Sequence, residues 1–526
     1  MQRKQNFLGG AAILAGAVAV TKVLGALYKI PLGNLLDSQG MAHFYAAYNV
    51  YNLLLMLSTV GLPLAASRLV AQADALGHRS QTRRIFHAAL LLLGAVGLLF
   101  TALMFLLPES LAGLLHDPMA AATIRVLSPA VLCVCLTSAI RGYTQGLGDM
   151  TPTAGSQIIE SACKLAVGLG LCAFLLSRGA PPETGAAGAI AGVTCGAALG
   201  LLFLLLCLLR RGRDAGSGAV SPMGETMRQL LHIGIPITVA GGGMSLMTLL
   251  DQSLVLGTLQ NTLGLSLEAA TELYGQYTFG MTLFVLPPSF IYPLSISLIP
   301  AITQARSRHD ESAVGRLTAS ALRITALLAF PMGVGLSVLA EPILLLLYPA
   351  VPDTARAAAP HLAVLGLASI FVCLMVATNG ILQACGRERV PIWTLLSGGV
   401  LKVVTNYLMV GNPAMGIRGA PAGTLYSYAL IVVLNLIAVH RCLAGRVDFF
   451  RCLWRPGLCA VVMALAARSV YALLAAQLSA RAATVAAIAL AAAVYAVLAP
   501  AVGAVTTEDL KHFKKGEKWA QRLHLR

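Results

Sequence analysis

Nine ionisable side chains fall inside long apolar stretches of the sequence: Lys22, Arg68, Arg125, Arg141, Lys164, Lys402 and Arg468, with the acids Glu160 and Asp251. A charge at membrane depth is costly and by default marks a pathway or a binding site. Arg68, Arg141 and Arg468 lie near the ends of their stretches, where a long side chain reaches the interface. Lys22 lies deeper, and Lys29 follows seven residues on, on nearly the same face of a helix. Two bases on one lipid-facing stripe would be unfavourable, so both are expected to line an interior cleft; a snorkelling role remains open for each. A cleft of fixed positive charge selects an anion. Glu160 and Lys164 are spaced i,i+4 and are expected to pair with each other, as a coupling element or as a structural ion pair. Asp251 is the one acid inside the second half's stretches, a candidate partner for Lys402 or a proton or sodium site. No phosphate loop, no His/Cys cluster of metal-ligand spacing and no nucleophile motif occurs. The expectation is therefore no cofactor, no metal and no enzymatic activity.

These residues need membrane-spanning elements to hold them. The chain has 526 residues, 57% hydrophobic and 11% charged, where a soluble domain carries about 25% charged residues. That composition excludes a soluble enzyme, a disordered chain and a nucleic-acid-binding module. Eleven cysteines in this length do not make a disulfide scaffold. Runs of about 20 apolar residues indicate helices rather than the alternating segments of a β-barrel. Fourteen spans are expected, centred near Ala15, Leu57, Val96, Cys133, Leu165, Gly196, Met244, Leu286, Ala329, Ile370, Leu401, Ile431, Val462 and Ile488. With the N-terminus cytoplasmic, 25 of the 37 Lys+Arg fall on the cytoplasmic side, including the tail bases from Lys511 to Arg526. The opposite side holds Lys29, Arg178, Arg356, Arg418 and Arg481. This positive-inside bias places both termini in the cytoplasm. It also explains the net charge of +16 as a topology label and a contact with anionic membrane lipids, so no nucleic-acid partner is expected.

The chain repeats itself. Gly142-x-x-Gln145-x-x-Gly148 matches Gly380-x-x-Gln383-x-x-Gly386, each turn is followed by a proline (Pro152, Pro391), and Lys164 matches Lys402. The two glycines, the glutamine and the lysine share one offset of 238 residues. GAAGAIAG (185–192) resembles GIRGAPAG (416–423), and Ser67–Ala73 resembles Leu298–Ala305 with Gln72 opposite Gln304. Each repeat has six spans, so the two should be related by an axis along the membrane normal. The expected fold is an all-α integral membrane protein with two six-helix lobes and two extra C-terminal helices. The expected divisions are an N-terminal lobe (1–210), a cytoplasmic linker (211–228), a C-terminal lobe (229–442), helices thirteen and fourteen (443–505) and a basic tail (506–526). Pro63, Pro236, Pro287, Pro288, Pro293, Pro300 and Pro331 fall inside spans, and the run from Val285 to Ile302 is expected to be bent. The Gly-rich segment 240–244 is expected to be a flexible point or a site of close helix packing.

Two stretches carry a family resemblance. FLGGAAILAGAVAVTKVLGALYKIPLGNLLDSQGMAHFYAAYNVYNLLLMLSTVGLPLAASRLVAQ near the N-terminus and YGQYTFGMTLFVLPPSFIYPLSISLIPAIT (274–303) resemble the stage V sporulation protein B group of polysaccharide transporters. That group belongs to the multidrug/oligosaccharidyl-lipid/polysaccharide (MOP) exporter superfamily, whose members include lipid II flippases. The resemblance implies a V-shaped, two-lobed, monomeric transporter in the plasma membrane. It implies a lipid-linked saccharide as partner, an undecaprenyl-diphosphate-linked precursor of peptidoglycan or another polysaccharide. In the flippases, bases on the first two spans hold the diphosphate. Thr21-Lys22-Val23-Leu24-Gly25 matches the segment carrying the first base, with Lys for Arg; Lys29 falls one residue beyond the second, where Tyr28 stands; Arg68 is a third candidate. The base before the Leu-Pro of the eighth span is replaced by Thr282. Some relatives bind sodium between spans seven, eleven and twelve, near Asp251, Asn406 and Thr424, and the resemblance places the Lys402 ammonium where another ligand to that ion would be. The rival readings are a drug/cation antiporter of the same superfamily, a membrane-embedded glycosyltransferase using Asp37, Glu109 or Asp117, and a relative without transport.

Overall fold

The computed structural model describes residues 7–59, 61–210, 220–443 and 447–505, and every long element among them is helical. The start of the expected linker (211–219) and the basic tail (506–526) lie outside the described residues. So do the side chains at 239–244, the Gly-rich segment, and at 293–301. All fourteen expected span centres fall on helices. Eleven helical stretches among the described residues are long and apolar enough to cross a membrane.

The chain forms two compact units, one of residues 1–260 and 265–275, the other of 261–264 and 276–526. The first contains α1 (Phe7–Leu35), α2 (Ser38–Thr59), α3 (Gly61–Ala75), α4 (Arg79–Leu106), the short α5 (Pro108–Leu114), α6 (Ala121–Gly146), α7 (Thr151–Cys163), α8 (Leu169–Ser177), α9 (Pro182–Arg210) and α10 (Met223–Asn261). Small residues let these helices approach closely, as expected where lipid supplies no hydrophobic drive between them. Gly188, Gly192, Gly196 and Gly200 recur every four residues along α9. A Cβ on Gly192 would fall on the backbone of Gly168, and one on Gly196 would lie 2.6 Å from the Glu160 carbonyl oxygen. Between α7 and α8 the chain widens into one π turn, Lys164–Gly168, directly against this glycine row. Gly142 and Gly146 play the same part where α6 meets α3, with a Cβ on either lying 2.7 Å from a carbonyl oxygen, of Pro63 or Ser67.

Polar groups close one end of this unit. Asp37 accepts from the Gly40 N–H at 2.8 Å, at the start of α2. His43 Nδ1 lies 2.8 Å from the carboxylate of Asp117, with both side chains buried. Glu109 takes Arg125 at 2.7 Å. Each of the three acids weighed for enzymatic chemistry is thus engaged in holding helix ends together. α10 is seated on the same end: Ser253 donates to the Leu114 carbonyl at 2.6 Å, Gln260 donates to that of His116 at 2.8 Å, and Gln252 accepts from Asn49 at 2.7 Å.

The boundary between the units runs through α11 (Leu267–Phe284). α12 (Leu286–Ser307) follows after a break at Val285. Pro287 and Pro288 fall in its first turn, where a missing N–H removes no helix bond. Within the run expected to bend, the chain thus leaves the helix at Val285. Then come α13 (Glu311–Val338), the short α14 (Ala340–Leu347), α15 (Pro352–Ala384), α16 (Arg389–Val410), α17 (Gly419–Cys442), α18 (Phe449–Ala475) and α19 (Ala480–Ala501). α18 and α19 pack through Met463, Ala467, Ala487 and Ala491 onto Leu339.

The repeat is visible inside each unit. α4 and α13 each have 28 residues and start 232 residues apart, and the short α5 and α14 follow at that same offset. The turns after α6 and α15 match bond for bond. Gly148 and Gly386 both take a left-handed φ, +78° and +72°. Gly148 donates to the Gln145 carbonyl and Asp149 to that of Thr144, while Gly386 donates to Gln383 and Arg387 to Leu382. This is the left-handed helix stop that glycine forms without a steric penalty.

Candidate functional site

α1, α2 and the π turn converge on a cluster of lysines and tyrosines. α1 carries Tyr28 and Lys29 just before Pro31. On α2, Phe44, Tyr48 and Tyr51 recur at i, i+4 and i+7, with Tyr45 beside them. The Phe44 and Tyr48 rings stack with centroids 5.6 Å apart, and Tyr28 leans on Phe44 at 6.1 Å. The buried Tyr28 hydroxyl donates to the Ala189 carbonyl at 2.9 Å, which anchors α1 to α9.

Two ammonium groups close on this aromatic platform. Lys29 Nζ donates to the Tyr45 hydroxyl at 3.1 Å and lies 4.8 Å and 5.6 Å from the ring centres of Tyr45 and Tyr48. Lys164 Nζ, at the start of the π turn, donates to the Tyr48 hydroxyl at 3.3 Å. It lies 4.6 Å from the Tyr48 ring centre and 4.8 Å from that of Tyr28. Tyr48 thus stands between two cations. Ring faces attract a cation but carry no net charge to neutralise it. The cluster is built to hold positive charge in a partly dry place, where a small anion would gain strong charge-assisted hydrogen bonds.

The expected Glu160–Lys164 pair is not formed. Glu160 Oε2 instead accepts from Arg141 Nη2 of α6 at 3.0 Å, and Arg141 Nε donates to the buried Ser156 hydroxyl at 3.0 Å. A guanidinium forks onto two acceptors at once, which a single ammonium on the same helix does not match. Arg141 is accordingly an interior ion-pair partner rather than a snorkelling residue. Arg125, counted among the interior bases, sits at the start of α6 with its Glu109 partner, and both side chains are exposed.

The remaining candidates lie on other elements. Lys22 is exposed on α1 and Arg68 is exposed on α3. Neither joins Lys29 and Lys164. Asp251 is buried on α10 beside the fully buried Gln252. In the second unit Lys402 is half-buried on α16. Asn406 and Thr424 are buried where α16 crosses α17, with the Asn406 side chain packed against Gly423 and the Thr424 hydroxyl donating to the Ala420 carbonyl at 3.1 Å. Among the described residues no group of three or more His, Cys, Asp or Glu is placed to hold a metal ion.

A second network occupies the positions equivalent to Arg141 and Ser156. These are Asn379 and Thr394, 238 residues on. Thr394 donates to the Asn435 side-chain oxygen at 2.8 Å, and the Asn435 amide donates to Thr378 at 3.0 Å and to Asn379 at 2.8 Å. The repeat thus places a polar cross-link at equivalent positions of each unit, ionic in the first and neutral in the second. Sequence reasoning missed Tyr28, Tyr45, Tyr48 and the Arg141–Glu160 pair. The i, i+4, i+7 aromatic spacing on α2 was the available signal.

Comparison with known proteins settles the family. The sequence profile of the polysaccharide biosynthesis protein family matches residues 7–306. The chain belongs to that family. A second profile, MatE, matches residues 274–408. This family member is 27% identical over 446 residues to stage V sporulation protein B of Bacillus subtilis (strain 168), covering 84% of this chain and 85% of that one. It is 24% identical over 461 residues to the lipid II flippase MurJ of the same organism, covering 83% of each. It is 29% identical over 464 residues to a probable multidrug resistance protein NorM of Deinococcus radiodurans, covering 82% of this chain and 95% of that one. The fold is shared with a solved structure of lipid II flippase MurJ in an inward closed conformation, at TM-score 0.68 and 12% identity over 94% of this chain and 98% of the other. An inward-facing multidrug resistance MATE transporter of the MOP superfamily also gives TM-score 0.68, at 14% identity over 82% of this chain and 98% of the other. The protein is a multi-pass, all-α membrane transporter of the MOP superfamily, as the sequence resemblance implied.

Proposed function

We propose that this transporter is a flippase for an undecaprenyl-diphosphate-linked saccharide, lipid II or a related cell-wall precursor, carried from the cytoplasmic to the outer leaflet by alternating access. The observation that carries the reading is the convergence of Lys29 and Lys164 on Tyr48. Two ammonium groups with only aromatic faces and hydroxyls between them suit a doubly charged diphosphate. Lys22 and Arg68, exposed on α1 and α3, guide the headgroup toward this cluster. The saccharide follows the diphosphate, and the lipid tail stays in the bilayer. Asp251, Lys402, Asn406 and Thr424 belong to the coupling between conformations, with the Lys402 ammonium in place of a bound metal. The positive-inside bias supports cytoplasmic termini, and the protein works as a monomer.

Proteins named lipid II flippase and stage V sporulation protein B among its relatives support this reading. NorM and the MATE structures favour a second one, a drug/cation antiporter. Such a transporter wants acids facing its substrate, and here Glu160, one helical turn from Lys164, is bound to Arg141. The deciding experiment is native mass spectrometry of the purified protein with undecaprenyl-diphosphate disaccharide–pentapeptide, on the wild type and on Lys22→Ala, Lys29→Met and Lys164→Met. Binding lost in the lysine variants supports the flippase. Retention by all of them discards the site, and failure of the wild type to bind, with binding of organic cations, moves the assignment to the antiporter.

A further inference from the structure

Lys164 has an acid within easy reach that it does not use. Glu160 lies one helical turn before it, and the Lys164 N–H bonds to the Glu160 carbonyl, so the helix is still α-helical between the two. Side chains at this spacing face each other on the helix surface. Left to itself, Glu160 would take the Lys164 ammonium and cancel half of the positive charge around Tyr48.

Arg141 prevents this. Its guanidinium reaches from α6 to Glu160 at 3.0 Å and is fixed by Ser156, also at 3.0 Å. The Ser156 hydroxyl is fully buried and itself donates to the Thr153 carbonyl at 2.8 Å. The Arg141 and Glu160 side chains are only 16% and 27% exposed, so water competes weakly for the pair. The α9 glycine row brings α9 against the backbone of Glu160 and Lys164 and keeps this stretch in place. The equivalent network of the second unit, Thr394–Asn435–Asn379, cross-links its helices without an ion pair. A neutral cross-link therefore suffices for packing, and the charge on Arg141 has a further role.

We infer that Arg141 is a positioning residue that sets the charge selectivity of the site. By sequestering Glu160 it leaves the Lys164 ammonium free to face an anion. The inference rests on the reading that the Lys29–Lys164 cluster receives a diphosphate.

Three variants test it: Arg141→Met, Glu160→Gln and the double variant, each titrated with undecaprenyl diphosphate at low ionic strength, with thermal unfolding recorded in parallel. Arg141→Met releases Glu160 to Lys164 and should weaken binding by about 10- to 100-fold, the worth of one hydrogen bond to a charged group. Glu160→Gln alone should bind as well as the wild type or better. The double variant has no acid to release, and its affinity should return to within about threefold of the wild type. A purely structural role for Arg141 would not be rescued by removing Glu160. Should Arg141→Met fail to fold, Arg141→Gln, which keeps an amide donor for Ser156, makes the same comparison. Wild type that binds together with an unaffected Arg141→Met sinks the positioning role and leaves the diphosphate reading standing. A double variant as weak as Arg141→Met also overturns the inference, placing Arg141 on the ligand or in the fold alone. Absence of binding by the wild type removes the diphosphate reading, and the inference with it.

Discussion

An ammonium half-buried against tyrosine rings has given up part of its hydration, and that fixes what its removal should do. Replacing Lys164 by Met keeps the apolar stem and deletes the charge. Binding of a diphosphate lipid should fall by about 10- to 100-fold, since one hydrogen bond to a charged group is lost. Stability should hold or rise, because an interior charge with no acid bound to it is expensive to keep. Thermal unfolding and ligand titration on the same sample separate the two effects; a fall in both would make Lys164 a structural residue. Asn435 should behave in the opposite way. It is fully buried and shares three hydrogen bonds with Thr378, Asn379 and Thr394. Asn435→Leu strands those partners and should cost about 1–3 kcal/mol in stability, seen as a lowered unfolding temperature, while the protein that remains folded should bind a diphosphate lipid as the wild type does. The residue scale is also where the sequence was least legible. The i,i+4 rule that pairs Glu160 with Lys164 is a local rule. Arg141 lies on another helix, 19 residues before Glu160, and wins because its fork also finds Ser156. The tyrosine platform joins side chains up to 136 positions apart, from Tyr28 to Lys164, and no local spacing announces such a meeting.

Elements were far more legible, because a helix that crosses lipid must be predominantly apolar over about 20 residues and cannot hide that. The turn motif Gly-x-x-Gln-x-x-Gly named its own geometry, since a helix stop of this kind needs the left-handed φ found at Gly148 and Gly386. The short α5 and α14 escaped notice, being too brief to leave a periodic signal. What the glycines of α9 do also became clear only from their neighbours. Gly192 and Gly170 make a matched pair for testing this. A Cβ on Gly192 would occupy the Gly168 backbone, while one on Gly170 would meet nothing within 4 Å. Gly192→Ala should push α9 off the π turn at a cost of about 1–3 kcal/mol and carry Lys164 away from Tyr48. Gly170→Ala should be neutral or stabilising by up to about 1 kcal/mol through helix propensity. Equal unfolding temperatures for the two variants would mean that the glycine row does not hold the site.

At the scale of the whole molecule, the sign of the cargo decides what drives it. A cluster that pairs two lysines with a diphosphate returns those lysines to their starting place after each cycle, so the charge displaced across the membrane is the headgroup's own. In a membrane negative inside, each negative charge moved outward gains about 2.3 kcal/mol per 100 mV. Export of a doubly charged headgroup is then favoured by about 4.6 kcal/mol at that potential, with no nucleotide or ion gradient required. Oriented proteoliposomes with a potassium diffusion potential test this directly. Transport toward the outer leaflet should accelerate when the inside is made negative and slow when the potential is reversed. Abolishing the potential at constant pH should leave only exchange down the lipid's own gradient. A cation antiporter run in the same vesicles would have its cargo held back by an inside-negative potential and would need an opposing ion gradient instead. Transport of the lipid that ignored the potential would mean that positive charge travels with the headgroup, and would require a counter-ion beside Lys29 and Lys164 in the moving complex.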